Sequence, residues 1–161
     1  MTPLISVVMA YYNRKPLLLE TLRSISASKQ IDNVEVIIVD DGSSEEHRLE
    51  DLVGKYPFEI KVIRQEPEDK WYLNPCVPFN MGIKEARGKF LVIQNPECFH
   101  LGDVLQFATT IPDHMYYTHH AYSLTKEATA LVPYIDPAKF VEAGQSAESN
   151  WLPFPLNEVG M

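Results

Sequence analysis

Short, nearly unbroken apolar runs alternate along this chain with segments whose apolar residues recur every three or four positions. The first pattern is that of a strand buried on both faces, and the second is that of a helix packed along one stripe. Ile5 to Ala10 (ISVVMA) is a run of the first kind. Pro16 suits a first helical turn, and Leu18, Leu22 and Ile25 then predict a helix ending near Ser28. Val34 to Val39 (VEVIIV) is a second buried strand that runs directly into Asp40-Asp41-Gly42-Ser43-Ser44. Ser43 and Glu46 have the spacing of a capping box, so Leu49, Leu52 and Val53 are expected on an amphipathic helix. Glu59 to Arg64 (EIKVIR) alternates as a third strand.

Gln65 to Val77 is polar and interrupted by proline, which predicts a loop. Phe79 to Ala86 then reads as a short helix closed by Gly88 in the left-handed region. Phe90 to Ile93 (FLVI) is a fourth strand, followed by Gln94-Asn95-Pro96-Glu97-Cys98. Leu101, Val104, Leu105 and Ala108 mark another helix, and Met115 to Tyr122 (MYYTHHAY) is β-prone enough to predict a fifth strand. Alternating strands and helices predict an α/β fold, a Rossmann-like and mostly parallel sheet with helices on both faces. One domain is expected over residues 1–140, with 141–161 as an irregular C-terminal extension.

Composition narrows the function classes more than it alters the fold. With 161 residues, 45% hydrophobic and 22% charged, the chain is long enough for one sizeable core and unlike a disordered tail. The formal charge of −8 comes without any Lys/Arg block, which argues against nucleic acid as a partner. Two cysteines make no disulfide framework, no apolar run approaches the length of a membrane span, and no leader precedes Ile5. A cytoplasmic location is the expectation that follows.

Open α/β sheets bind ligands at the carboxyl ends of their strands. Three such ends are polar here: Tyr11-Tyr12-Asn13, Asp40-Asp41 and Asn95-Pro96-Glu97. Adjacent carboxylates repel and need partners or solvent, so one of Asp40 and Asp41 is free to face a crevice while the other ties down backbone. A solvated Asp-Gly-Ser turn is the plain alternative. Asn95 and Glu97, separated by a strand-ending proline, form half of an oxygen site for Mg²⁺ or Mn²⁺, ions that often take only one or two protein ligands. An Asn-Pro turn beside a solvent-facing Glu is the alternative there. Tyr11 and Tyr12 offer stacking faces for a nucleobase, or serve as rim residues. Together the three ends describe a nucleoside-diphosphate pocket.

The strings ISVVMAYYNRKPLLLETLRSI, VEVIIVDDGSSEE and FNMGIKEARGKFLVIQNPE resemble the donor-binding half of a family 2 glycosyltransferase with the GT-A fold, over about the first 105 residues. The resemblance implies transfer of a sugar, with inversion, from a nucleotide-diphosphate donor, UDP-sugar first among them, to an acceptor hydroxyl on a carbohydrate or lipid-linked carbohydrate. It implies that Ala10 and Tyr12 line the base pocket, with Tyr11 and Asn13 beside them, and that Asp41 contacts the base. Asp40 would support the turn or the ribose, Lys70 would lie near the pyrophosphate, and Asn80 belongs to the helix preceding the metal motif.

Two departures from the family pattern stand out. The fourth strand there ends in paired acids, where this chain has Asn95, Pro96 and Glu97. Glu97 falls on the metal-binding carboxylate, with Asn95 and His100 as further candidates. The family's general base lies well after this motif, and no matching acidic motif follows Leu105. The base is therefore expected beyond the chain end, in a longer parent that could also bring the domain to a membrane. A non-catalytic nucleotide-sugar-binding or assembly module is the rival reading.

Overall fold

In the computed structural model, which describes residues 2–143 and 157–158, a four-stranded parallel sheet carries the molecule. Its strands are β1 (Ile5–Tyr11), β2 (Val34–Asp40), β3 (Glu59–Arg64) and β4 (Phe90–Ile93), in the order β3-β2-β1-β4. β1 and β2 are buried along almost their whole length, as their uninterrupted apolar runs require. Alternation within them feeds two layers. Ile5, Val7, Met9 and Tyr11 join Val34, Val36 and Ile38 in one core cluster with Leu18, Leu22 and Ile25 of α1 (Lys15–Ile25). On the opposite face, Val8, Ile37 and Val39 lie against Gly82 of α2 (Cys76–Glu85).

The connection β1-α1-β2 runs to one side of β1, and the chain returns to place β4 on the other side. The order therefore reverses between β1 and β4, and a crevice opens at the carboxyl ends of two strands whose connections diverge. Register sharpens it. Val8 pairs with Ile93 at the end of β4, whereas β1 runs three residues further, to Tyr11 opposite Asp40.

Several expectations need correction. The segment after Ser43 forms two 3₁₀ turns, Glu45–His47 and Glu50–Leu52, in place of an amphipathic helix. The Ser43 hydroxyl accepts instead from the Asn13 N–H at 3.0 Å, so the capping box never closes. α2 starts at Cys76, inside the predicted loop. Gly88 is not left-handed; its need is close approach, because a Cβ there would stand 2.6 Å from the Ser6 backbone nitrogen.

The expected strand 115–122 shrinks to β5 (Tyr122–Ser123), paired antiparallel with β6 (Asn157–Glu158). Tyr116 and Tyr117 are exposed and lie in no strand. A β-prone run forms a strand only where a ladder partner receives it. α3 (Val104–Ala108), α4 (Lys126–Thr129) and α5 (Pro137–Ala143) complete the order, and α5 runs across the expected boundary at residue 140. The rest of the expected irregular extension lies outside the described residues.

Polar staples fix the layers. Asp103 caps α3 by accepting from the Gln106 N–H at 3.1 Å, and it also accepts from the Ser28 hydroxyl and the Lys29 N–H beyond α1. At the amino ends of the strands, buried Glu35 accepts from the Ser6 hydroxyl and from the backbone and guanidinium of Arg87. Burial alone would raise the Glu35 pKa, but these bonds hold its carboxyl below the ordinary range. Both edges of the sheet, β3 and β4, are open among the described residues. β3 presents Glu59 and Lys61, whereas β4 presents Leu91 and Ile93, 43% and 54% exposed. No described helix is long and apolar enough to cross a membrane.

Candidate functional site

Parallel register brings Tyr11, Asp40 and Arg64 to one level at the carboxyl ends of three neighbouring strands. Asp40 is fully buried, and both of its oxygens are occupied: Oδ1 by the Ser43 N–H at 2.9 Å and Oδ2 by Arg64 Nη1 at 2.7 Å. Arg64 also donates to the Ser43 carbonyl at 2.8 Å and to Glu66. Gly42, at φ +85°, supplies the left-handed step that turns the chain back over this pair. Asp40 is thus the staple of the turn that carries Asp41.

Asp41 faces the other way. Its Oδ2 accepts from Lys70 Nζ at 2.7 Å and its Oδ1 from the Tyr72 hydroxyl at 2.8 Å. Burial, reinforced by this carboxylate, pushes the Tyr72 hydroxyl pKa up to about 12, so Tyr72 is a permanent donor at neutral pH. Lys70 Nζ lies 5.7 Å from the ring centres of both Tyr72 and Tyr12, and Tyr12 is 54% exposed. The residues after β3 therefore fold over the Asp41 turn, and an acceptor, a cation and an aromatic face converge there.

The turn after β1 is built to match. Asn13 adopts φ 50°, its side-chain oxygen accepts from the Ser44 N–H at 2.9 Å, and its own N–H bonds Ser43. That cross-link joins the ends of β1 and β2 into one rigid lip. Arg14 follows as the residue before α1, and its guanidinium pairs with Glu97 Oε1 across the crevice between β1 and β4. The turn bearing Glu97 is pinned to α1 by the Thr21 hydroxyl, which donates to the Pro96 carbonyl at 2.8 Å. Glu97 Oε2 is buried and has no partner. A cavity of about 1580 Å³ opens from Glu97 along Leu91 and Ile93 of β4 toward Met115 and Tyr116.

The family model for glycosyl transferase family 2 matches residues 6–108, which hold all three strand ends. The chain belongs to that family. It is 34% identical over 91 residues to a chondroitin synthase of Escherichia coli, covering 55% of this chain and 12% of that protein. It is 32% identical over 103 residues to the dolichol-phosphate mannosyltransferase of Pyrococcus furiosus, covering 63% of this chain and 28% of that one. Among solved structures, S. aureus TarS superposes with a TM-score of 0.51 at 25% identity, over 65% of this chain and 18% of TarS. This family 2 chain thus spans well under a third of the length of each of these relatives.

Within the family 2 framework the expected site residues take up different places. Tyr12, Asp41 and Lys70 come together, with Ala10 partly buried at the end of β1 beside them. Tyr11 does not join them: it is 1% exposed in the core, and its hydroxyl donates to the His47 carbonyl at 2.9 Å. Asp40 and Asn13 hold the lip through bonds that occupy their side chains. Lys70, expected near a pyrophosphate, bonds Asp41. Asn80 is exposed on α2, and Asn95 is exposed in the turn after β4.

His100 is 7% exposed, with its Nε2 2.8 Å from Gln94 Oε1 and its backbone N–H on the Ser24 hydroxyl. Burial lowers its pKa to about 4, so it is a neutral core histidine at pH 7. Trp71 is exposed, stacks edge-on against Tyr72 and widens the aromatic rim.

Sequence reasoning missed Arg64, Tyr72 and Arg14 as partners of the acids. Register offered a signal for Arg64, since it closes β3 as Asp40 closes β2 and the two pair across the ladder. Nothing local ties Arg14 to Glu97, 83 residues away.

The residues present fit a hard divalent cation in part. No cluster of three or more His, Cys, Asp or Glu occurs among the described residues, but Glu97 keeps one buried oxygen unpartnered. Mg²⁺ and Mn²⁺ take oxygen ligands and commonly need only one or two carboxylates when phosphates complete the shell.

Proposed function

We propose that this family 2 domain binds a UDP-sugar across the ends of β1, β2 and β4 and serves transfer of the sugar to an acceptor hydroxyl with inversion. The observation that carries the reading is the Asp41 carboxylate with Lys70 beside it and Tyr12 exposed next to both. An acceptor next to a donor complements the N3–H and neighbouring carbonyl of uracil, and equally the amino N–H and ring nitrogen of adenine or cytosine, so the preference for UDP rests on the family resemblance. Tyr12 offers a face for the base.

In the transfer proposed, the acceptor oxygen forms a bond to the anomeric carbon as the bond from that carbon to the diphosphate oxygen breaks. The acceptor's proton passes to a general base. This domain's part is to hold the donor in line and to favour the charge that develops on the departing diphosphate. A divalent cation, Mn²⁺ or Mg²⁺, would be held by Glu97 with Asn95 at the same turn, and it would neutralise the diphosphate. The name of one relative, a chondroitin synthase, favours a carbohydrate acceptor.

Calorimetric titration with UDP-, dTDP-, GDP- and ADP-sugars, each with and without Mn²⁺, tests the reading. The UDP-sugar is expected to bind most tightly. Asp41→Asn is expected to weaken the UDP-sugar by roughly 10- to 100-fold, the worth of one hydrogen bond to a charged group. Equal binding of all four sugars, or an Asp41→Asn protein with unchanged affinity, refutes it.

A further inference from the structure

The Arg14–Glu97 pair sits where the strand order reverses, the place at which a sheet of this kind takes its ligand. It is an unusual occupant of that place. Both residues are anchored by their backbones: the Arg14 carbonyl accepts from the Leu17 and Leu18 N–H groups at 3.0 Å, and the Glu97 turn is held by Thr21. The side chains are looser, with 53% of Arg14 and 29% of Glu97 exposed. Glu97 Oε1 is covered by the guanidinium while Oε2 is buried without a partner. A carboxylate already neutralised by Arg14 has no net charge with which to attract a divalent cation, and a cation arriving beside the guanidinium would meet like charge.

We propose that Arg14 is an exchangeable counter-ion. It holds Glu97 while the site is empty and passes to the donor's diphosphate on binding, which frees both Glu97 oxygens for the cation. The diphosphate carries more charge than one carboxylate and can take the guanidinium fork bidentately, whereas Glu97 offers Arg14 only Oε1, so the exchange runs toward the donor. Arg14 is then a diphosphate-binding residue and, at the same time, a guard against loading metal without nucleotide. This inference rests on the reading of the site as one for a nucleotide-diphosphate donor.

Two binding measurements on the whole chain test it without any turnover. The first is titration of Mn²⁺ alone, read by the electron paramagnetic resonance of the free ion. The second is calorimetry of UDP in excess chelator. Arg14→Gln is expected to bind Mn²⁺ alone about tenfold more tightly than the unsubstituted protein and to bind UDP in chelator about tenfold more weakly. Arg14→Lys, which keeps the charge, is expected to lie between the two in both titrations, and the double variant Arg14→Gln/Glu97→Gln is expected to lose the gain in Mn²⁺ affinity. An Arg14→Gln protein with unchanged or weaker Mn²⁺ binding, or with unchanged UDP binding, overturns the exchange while leaving the donor reading intact. Failure of the unsubstituted protein to bind UDP-sugar under any condition refutes the donor reading itself and the exchange with it.

Discussion

Asp40 and Asp41 are neighbours in the chain, yet one is sealed in the core by Arg64 and the Ser43 N–H while the other stands at the rim under Lys70 and Tyr72. The split follows from the end of a buried strand, where the last inward position must bury its carboxylate and the next one turns outward. A similar contrast separates Glu97 from His100, three residues on. Burial holds His100 neutral with a pKa of about 4 against an ordinary 6.5, so the unfolded chain binds the extra proton between those values. Its contribution to stability is therefore complete above pH 6.5 and is lost as pH falls toward 4, on the order of 3 kcal/mol at 1.36 per pK unit. Urea denaturation of the unsubstituted protein and of His100→Gln is expected to show a shallower decline for the variant across that window. Parallel declines would remove His100 as the titrating group.

Packing between elements depends on two glycines whose role is the absence of a side chain. A Cβ on Gly82 would lie 2.6 Å from Val8 Cγ1 and 3.2 Å from Val39 Cγ2, side chains that can yield a little as α2 lifts. On Gly88 it would meet the Ser6 nitrogen at 2.6 Å and the Ile5 carbonyl carbon at 2.8 Å, which are backbone atoms of a central strand. Overpacking of this kind costs about 1–3 kcal/mol, and the larger cost belongs to the less yielding neighbour. Gly88→Ala is thus expected to lower the urea midpoint more than Gly82→Ala, with the slope unchanged in both. The reverse order would show that the sheet yields more readily than the helix.

The same two glycines mark how far the sequence was legible. The four strands and α1 were readable because their apolar spacing is local and nothing else competes for it. Gly88 was readable as special but not for its reason, since a helix stop and a close approach leave the same letter. The helix predicted after Ser43 failed because the Ser43 hydroxyl was taken by Asn13, 30 residues earlier. The strand predicted at 115–122 shrank because, among the described residues, only its last residue, Tyr122, meets a ladder partner, Glu158. At the site, the three polar strand ends were visible as positions, whereas the pairings of Asp40, Asp41 and Glu97 with Arg64, Lys70 and Arg14 were not. Each of those pairings spans 24 to 83 residues and is created only when the strands align.

For the whole molecule, a net charge of −8 surrounds a site proposed to hold an anion, so the few cations near the crevice carry the local field. The sheet is also asymmetric at its margins. β3 ends the sheet on one side with Glu59 and Lys61 facing outward, and such charges discourage another chain from adding a strand. β4 ends it on the other side with Leu91 and Ile93, and its backbone groups, unpaired among the described residues, form a template of the kind that aggregating chains use. The protein is therefore expected to self-associate through β4, with sedimentation velocity showing larger species as concentration rises. Ile93→Lys is expected to return it to the monomer, and an unchanged distribution would clear this edge of the charge. Any assay of donor binding on this chain then has to be read at a concentration where that edge is still bare.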